Sequence, residues 1–272
     1  ANTCVGPSLG TPVNVIVNPL PTAVATGGGT VCVGSPLPNV TFTFTGTAPF
    51  TFTYTDGVTP MNVVNHPTTT FTINNAPAGA YQVTALTDAN TCVATSLGAP
   101  VNVIVNPLPT AVISGGGSVC AGSPLPNVTF TFTGTAPFTF TYTDGVTPVN
   151  VVNHPTTTFT INTAPVGTYS VTALTDANTC VGSSLGTPVS VLVNPLPTAV
   201  ASGGGTVCIG SPLPSVTFTF TGTAPFTFTY TDGVTPVNVV NHPTTTFTIN
   251  TAPAGVYQVT ALTDANTCVA TS

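Results

Sequence analysis

The chain has 272 residues, no Lys or Arg, and six acidic side chains, giving a formal net charge of −6. Charged residues make up 2%, against roughly 25% in an ordinary soluble domain. Without cations there is no phosphate clamp, so nucleic acid and anionic lipid are excluded as partners, and so is lysine-based covalent chemistry. Thr, Asn, Pro or Gly interrupts every apolar run short of the ~18 residues of a membrane helix, so no membrane insertion is expected.

The sequence repeats itself almost verbatim. VCVGSPLP at Val31 returns 88 residues later as VCAGSPLP at Val119, and again as VCIGSPLP at Val207. ANTC occurs four times, at Ala1, Ala89, Ala177 and Ala265, so the chain spans three periods and eight residues more. Taken in chain order, the first segment, 1–18, ends in TPVNVIVNP, where Val13, Val15 and Val17 share one face of a strand. After an Asn-Pro-Leu-Pro joint come PTAVAT, a triple-glycine kink, and TVCVG leading into a Ser-Pro-Leu-Pro turn. NVTFTFTG then places Val40, Phe42 and Phe44 on one face and Thr41, Thr43 and Thr45 on the other, the alternation of a half-buried strand. PFTFTYTDG repeats the pattern with Phe50, Phe52 and Tyr54 before an Asp56-Gly57 turn. MNVVNH, TTTFTIN, GAYQVTALT and PVNVIVN complete the period, and no stretch has a helical period.

About seven short strands in 88 residues is the rhythm of an immunoglobulin-like sandwich. PTAVAT and TVCVG take the places of strands A and A′, NVTFTFTG of B, PFTFTYTDG of C, TTTFTIN of E, GAYQVTALT of F and PVNVIVN of G. Tyr81, Tyr169 and Tyr257 each stand at the start of F, where a tyrosine corner fits. The usual core Trp is absent, and Val83 stands where the F-strand Cys would lie, so the B–F disulfide is missing.

The segments VNPLPTAVISGGGSVCAGS, FTGTAPFTFTYTDG and LTDANTC resemble the tandem Ig-like repeats of secreted and cell-surface proteins of Bacteroidota, adhesin or extracellular filament in type. That resemblance covers all three periods. It implies a bacterial extracellular protein with adhesive or structural work and no catalytic residues to carry over.

The fold class expected is therefore all-β: three tandem immunoglobulin-like β-sandwich domains, the last lacking its final strand, plus a spare N-terminal strand. The boundaries are 1–18 for the donor strand and 19–106, 107–194 and 195–272 for the three domains. Since TPVNVIVNP matches the G strand that the third domain lacks, the expected function is a structural subunit polymerised head to tail by donor-strand exchange. Val13, Val15 and Val17 would enter the core of domain 3 in a neighbouring copy. The partner is then the chain itself, with glycans or host and cell surfaces as further contacts. The rival reading is a monomeric segment of a surface adhesin stalk that binds a receptor or glycan through its loops.

Seven cysteines recur at matched positions, and an oxidising, secreted or cell-surface setting with a disulfide framework fits them. Pairing within repeats joins Cys32 to Cys92, Cys120 to Cys180 and Cys208 to Cys268, leaving Cys4 as a candidate intersubunit cysteine. Pairing nearest neighbours instead joins Cys4 to Cys32, Cys92 to Cys120 and Cys180 to Cys208. The first scheme is the expectation. No CxxC or Cys/His cluster suggests a metal or another cofactor. His66, His154 and His242 read as strand-end residues before Pro, and Asp56 and Asp88 as turn residues. Nothing forms a nucleophile, base and oxyanion constellation, so no enzyme is expected.

Overall fold

The computed structural model describes residues 10–271, and every α-helical or strand element among them is a strand. The chain divides into two units, residues 1–108 with Asn178–Cys180, and residues 109–177 with 181–272.

In the first unit the strands are β1 (Thr22–Gly27), β2 (Gly29–Cys32), β3 (Val40–Thr45), β4 (Phe50–Thr55), β5 (Pro60–His66), β6 (Thr70–Ile73), β7 (Gly79–Thr87) and β8 (Val101–Asn106). They form a three-stranded sheet, β1-β3-β6, and a five-stranded sheet, β2-β8-β7-β4-β5. The alternation in β3 and β4 sets the core: Phe42, Phe44, Phe50 and Phe52 are all buried, and the rings of Phe44 and Phe52 meet across the two sheets at 4.7 Å. Each such ring contributes roughly 1.5–3 kcal/mol on burial. The Thr residues between them face outward and pair across strands, as in the 3.0 Å contact of the Thr41 and Thr72 hydroxyls. Met61-Asn-Val-Val-Asn-His66 is part of the edge strand β5, paired with β4, which widens the second sheet to five strands.

Gly27, Gly28 and Gly29 all have positive φ. They carry the chain from the sheet of β1 to the sheet of β2, and a Cβ on Gly28 would stand 2.5 Å from the Asn102 carbonyl oxygen of β8. Only glycine admits that approach at that backbone angle. The expected tyrosine corner is formed: the Tyr81 hydroxyl donates to the Pro77 carbonyl at 3.0 Å.

The second unit repeats the complete sandwich with β9 (Thr110–Gly115), β10 (Gly117–Cys120), β11 (Val128–Thr133), β12 (Phe138–Thr143), β13 (Pro148–His154), β14 (Thr158–Ile161), β15 (Gly167–Thr175) and β16 (Val189–Asn194). Its sheets are β9-β11-β14 and β10-β16-β15-β12-β13. The third repeat follows with β17 (Thr198–Gly203), β18 (Val216–Thr221), β19 (Phe226–Thr231), β20 (Pro236–His242), β21 (Thr246–Ile249) and β22 (Gln258–Thr263). One of its sheets is whole, β17-β18-β21, and the other is reduced to β20-β19-β22. The protein consists of tandem immunoglobulin-like sandwiches, two complete and one with an open edge.

Candidate strand-acceptor edge and cysteine staples

The open edge is defined by what fills it elsewhere. In the first sandwich β8 lies between β2, to which it is parallel, and β7, to which it is antiparallel; Val103 stands opposite Gly29 on one side and Gly79 on the other. The middle valine is the core residue of this strand, with Val103 3% and Val191 0% exposed. The flanking Val101, Val105 and Val189 are half-buried, and Val193 is 38% exposed. Equal insertion of three valines, as the sequence pattern suggests, therefore narrows to one deep anchor and two flanking contacts.

In the third repeat β22 pairs with β19 alone among the described residues, and three consequences follow together. Gly205–Cys208, the counterpart of β2 and β10, forms no strand and has no ladder partner among the described residues. Strand β22 begins at Gln258, whereas β7 and β15 are nine residues long and reach back to Gly79 and Gly167. Tyr257 is half-buried although Tyr81 and Tyr169 are buried. A cleft of about 280 Å³ lined by Val207, Val216, Ala252 and Tyr257 opens on this edge. A second cleft of about 520 Å³ is lined by Leu196, Ala199, Val259, Leu262 and Ala270. In the complete domains Leu97 and Leu185, which lead into the final strand, pack on the core.

A matching segment exists in the same chain. SLGTPVNVIVNP at 8–19 differs from SLGAPVNVIVNP at 96–107 only at Thr11. Residues 10–20 form no strand, and Val13, Val15 and Val17 are 91%, 83% and 88% exposed. The rest of the 1–18 segment, with Cys4, lies outside the described residues.

The cysteines pair in neither expected way. Cys32 is bonded to Cys180 and Cys120 to Cys268, each across 148 residues and with Cα atoms 5.5 Å apart. The Cys32–Cys92, Cys120–Cys180 and Cys208–Cys268 bridges are therefore not formed, nor are Cys92–Cys120 and Cys180–Cys208. Strand direction explains why. Cys32 ends β2 opposite Asn106, the last residue of β8. Strand β7 begins at the middle of β8 and runs the other way, so Cys92, beyond its far end, lies at the opposite pole of the sandwich. Nine residues of β7 span roughly 30 Å, far beyond the reach of a disulfide. Cys92 and Cys208 are free thiols, one half-buried and the other exposed.

The ANTC segment is held by a buried aspartate. Asp88 Oδ1 accepts the N–H groups of Asn90 and Cys92, both at 3.0 Å, and Oδ2 accepts that of Thr47 at 3.2 Å. Burial pushes its carboxyl up, but the N–H donors of Thr47, Cys92 and Asn90 together hold it below the usual carboxylate range. Asp56 caps its turn by accepting the N–H of Val58 and Thr59 at 2.8 Å, which lowers its carboxyl as well. His66 is the last residue of β5, with Nε2 2.8 Å from the Thr70 carbonyl and its ring edge-on to Phe71. His154 and His242 repeat these contacts. Among the described residues no group of three His, Cys, Asp or Glu could hold a metal ion, and no helix is long and apolar enough to cross a membrane.

No family profile and no curated protein matches this chain. Solved structures do. A titin I-band fragment, I67–I69, is 14% identical with a TM-score of 0.48, over 92% of this chain and 94% of that one. A marsupial T cell receptor is 15% identical with a TM-score of 0.36, over 77% and 84%. The four N-terminal Ig domains of Dscam1 isoform 4.44 are 12% identical with a TM-score of 0.28, over 90% and 70%.

Proposed function

We propose that the chain is a structural subunit of an extracellular filament, assembled head to tail by donor-strand exchange. The single observation that carries this reading is the complementary pair described above: a β22 edge unpaired among the described residues, and an exposed segment, VNVIVN at 13–18, identical to the β8 strand that fills this edge in the first domain and matching β16, VSVLVN, at four of six positions. Residues 11–18 of one copy enter the third domain of another by β-augmentation. Val15 takes the place of Val103 and Val191, Val13 and Val17 flank it, and the backbone completes the ladder along β22. Burial of Val15 alone contributes on the order of 1.5–3 kcal/mol, before the ladder bonds that an exposed edge otherwise lacks. The contact is heterologous, and wherever the rotation between copies does not close a ring it propagates into a filament. Disulfides between repeats support an oxidising, secreted or cell-surface location.

Electron microscopy of the intact chain beside a version lacking residues 1–18 tests the reading. Filaments from the intact chain and none from the truncated one are expected. Monomers from both would overturn it and favour the second reading, a cell-surface stalk that meets a receptor or glycan through its loops. That reading draws on the staples between repeats, which stiffen a tandem array without any second copy.

A further inference from the structure

We infer that the free thiols Cys208 and Cys92 are the two halves of a third staple, formed between successive copies of the chain. The inference rests on the head-to-tail reading above.

Both disulfides obey one rule: the cysteine of VC(V/A/I)G bonds the cysteine of an ANTC segment 148 residues further on. Cys32 and Cys120 satisfy it with Cys180 and Cys268. Continued from Cys208, the rule points to an ANTC cysteine in the repeat that follows the third domain. In a filament that repeat is the first domain of the next copy, and its ANTC cysteine is Cys92. Among the described residues, Cys92 is in turn the ANTC cysteine left without a VC(V/A/I)G partner. The two free thiols among the described residues are therefore complementary, one of each type.

The local geometry agrees at both ends. Cys92 sits in the same turn as the bonded Cys268: each backbone N–H donates to an aspartate Oδ1, Asp88 and Asp264 respectively, at 3.0 Å. The ring of N–H donors around Asp88 thus holds Cys92 ready in the backbone form that its bonded counterpart adopts. Cys208 ends the segment Gly205–Cys208, which pairs with no strand among the described residues. In the complete domains the same segment is ordered by β8 or β16, in the registers Cys32 to Asn106 and Cys120 to Asn194. A donated strand offers Asn18 to Cys208 in that register. The Asn18-Pro19-Leu20-Pro21 joint then leads into the next copy's β1, as Asn194-Pro195-Leu196-Pro197 leads into β17. Strand donation and staple formation are in this way coupled: the incoming strand orders the thiol that the incoming domain then meets.

Oxidation joins the two Sγ atoms with loss of two protons and two electrons. A small disulfide oxidant takes up the electrons and is released as two thiols, by exchange through a mixed disulfide. By repeat position Cys4, which lies outside the described residues, is the equivalent of Cys268, whose partner Cys120 is already bonded; the proposal therefore assigns the bond between copies to Cys92 and Cys208.

The test uses the full chain in a Cys4→Ser background, incubated with oxidised glutathione, boiled in SDS without reductant and run on a gel, with electron microscopy of the same samples. The expected result is a ladder of covalent oligomers that collapses to monomer with reductant. Cys92→Ser and Cys208→Ser each abolish the ladder while filaments persist, and mixing the two variants restores a covalent dimer alone. Peptic peptides from the ladder contain Cys208 bonded to Cys92. Filaments without a ladder, or a ladder that survives either substitution, overturn the staple and leave strand exchange standing. Absence of both filaments and ladder overturns the staple together with the reading beneath it.

Discussion

Tyr169 shows how one hydroxyl ties a strand to its preceding turn: it donates to the Pro165 carbonyl at 2.9 Å while its ring is buried in a complete domain. Tyr169→Phe removes the donor and leaves the ring, so a loss of about 0.5–1.5 kcal/mol is expected in chemical denaturation. The carboxylates make a second residue-scale statement. Asp56, Asp88, Asp144 and Asp232 are all held below the ordinary carboxyl range by their settings. A lowered folded pKa stabilises above the unfolded value of about 3.9 and is lost as pH falls through the folded value. Tyr54, Tyr81, Tyr142 and Tyr169 are raised, chiefly by burial, so their contribution is present below about pH 10 and lost above it. Calorimetric Tm is expected to decline below about pH 4 and again above about pH 10. A Tm unchanged down to pH 2 would contradict the carboxylate contribution.

At the scale of the element, the triple-glycine kink distinguishes the two complete domains from the third. Gly28 and Gly116 have the Asn102 and Ser190 carbonyl oxygens 2.5 and 2.7 Å from where a Cβ would stand. The equivalent Gly204 has nothing within 4 Å, and under the proposed strand exchange it would face Asn14 of the donated strand. Gly204→Ala carries only the cost of its positive φ in the single chain, roughly 1–2 kcal/mol, and is expected to block polymerisation seen by light scattering. Normal filament growth by this variant would mean that no strand enters there. If the proposed strand exchange holds, Val15→Asp puts a carboxylate at the position equivalent to the buried Val103 and Val191 and is expected to abolish filament growth, with Val17→Asp milder because the equivalent Val193 is 38% exposed.

On the scale of the whole molecule, the absence of Lys and Arg leaves six aspartates to set the formal net charge of −6, three of them, Asp88, Asp176 and Asp264, with buried side chains. The sequence pI is about 4.1, so acidification toward pH 4 removes most of the repulsion between chains. Turbidity is expected to rise steeply there and to reverse on neutralisation. Peptide mapping under non-reducing conditions is expected to recover Cys32 with Cys180 and Cys120 with Cys268, and no bridge within a repeat. Since trypsin finds no cleavage site, the mapping needs pepsin or thermolysin.

Much of this protein was legible from one dimension. The 88-residue period, the alternation of Phe42, Phe44, Phe50 and Phe52, the tyrosine corners and the turn aspartates all depend on neighbours a few residues away or on an identical copy elsewhere in the string. Such features carry their own physical cause, a two-residue strand period or a side chain capping its own backbone. The disulfide partners did not, because bonding depends on which pole of a sandwich each cysteine occupies. That is fixed by strand direction: β2 runs with β8 and β7 runs against it, which sets Cys32 and Cys92 apart and leaves Cys32 to a cysteine 148 residues away. The depth of each valine was likewise decided by tertiary structure. Three valines on one strand face look equal in sequence, and only the packing of two sheets distinguishes the buried Val103 from its flanking neighbours.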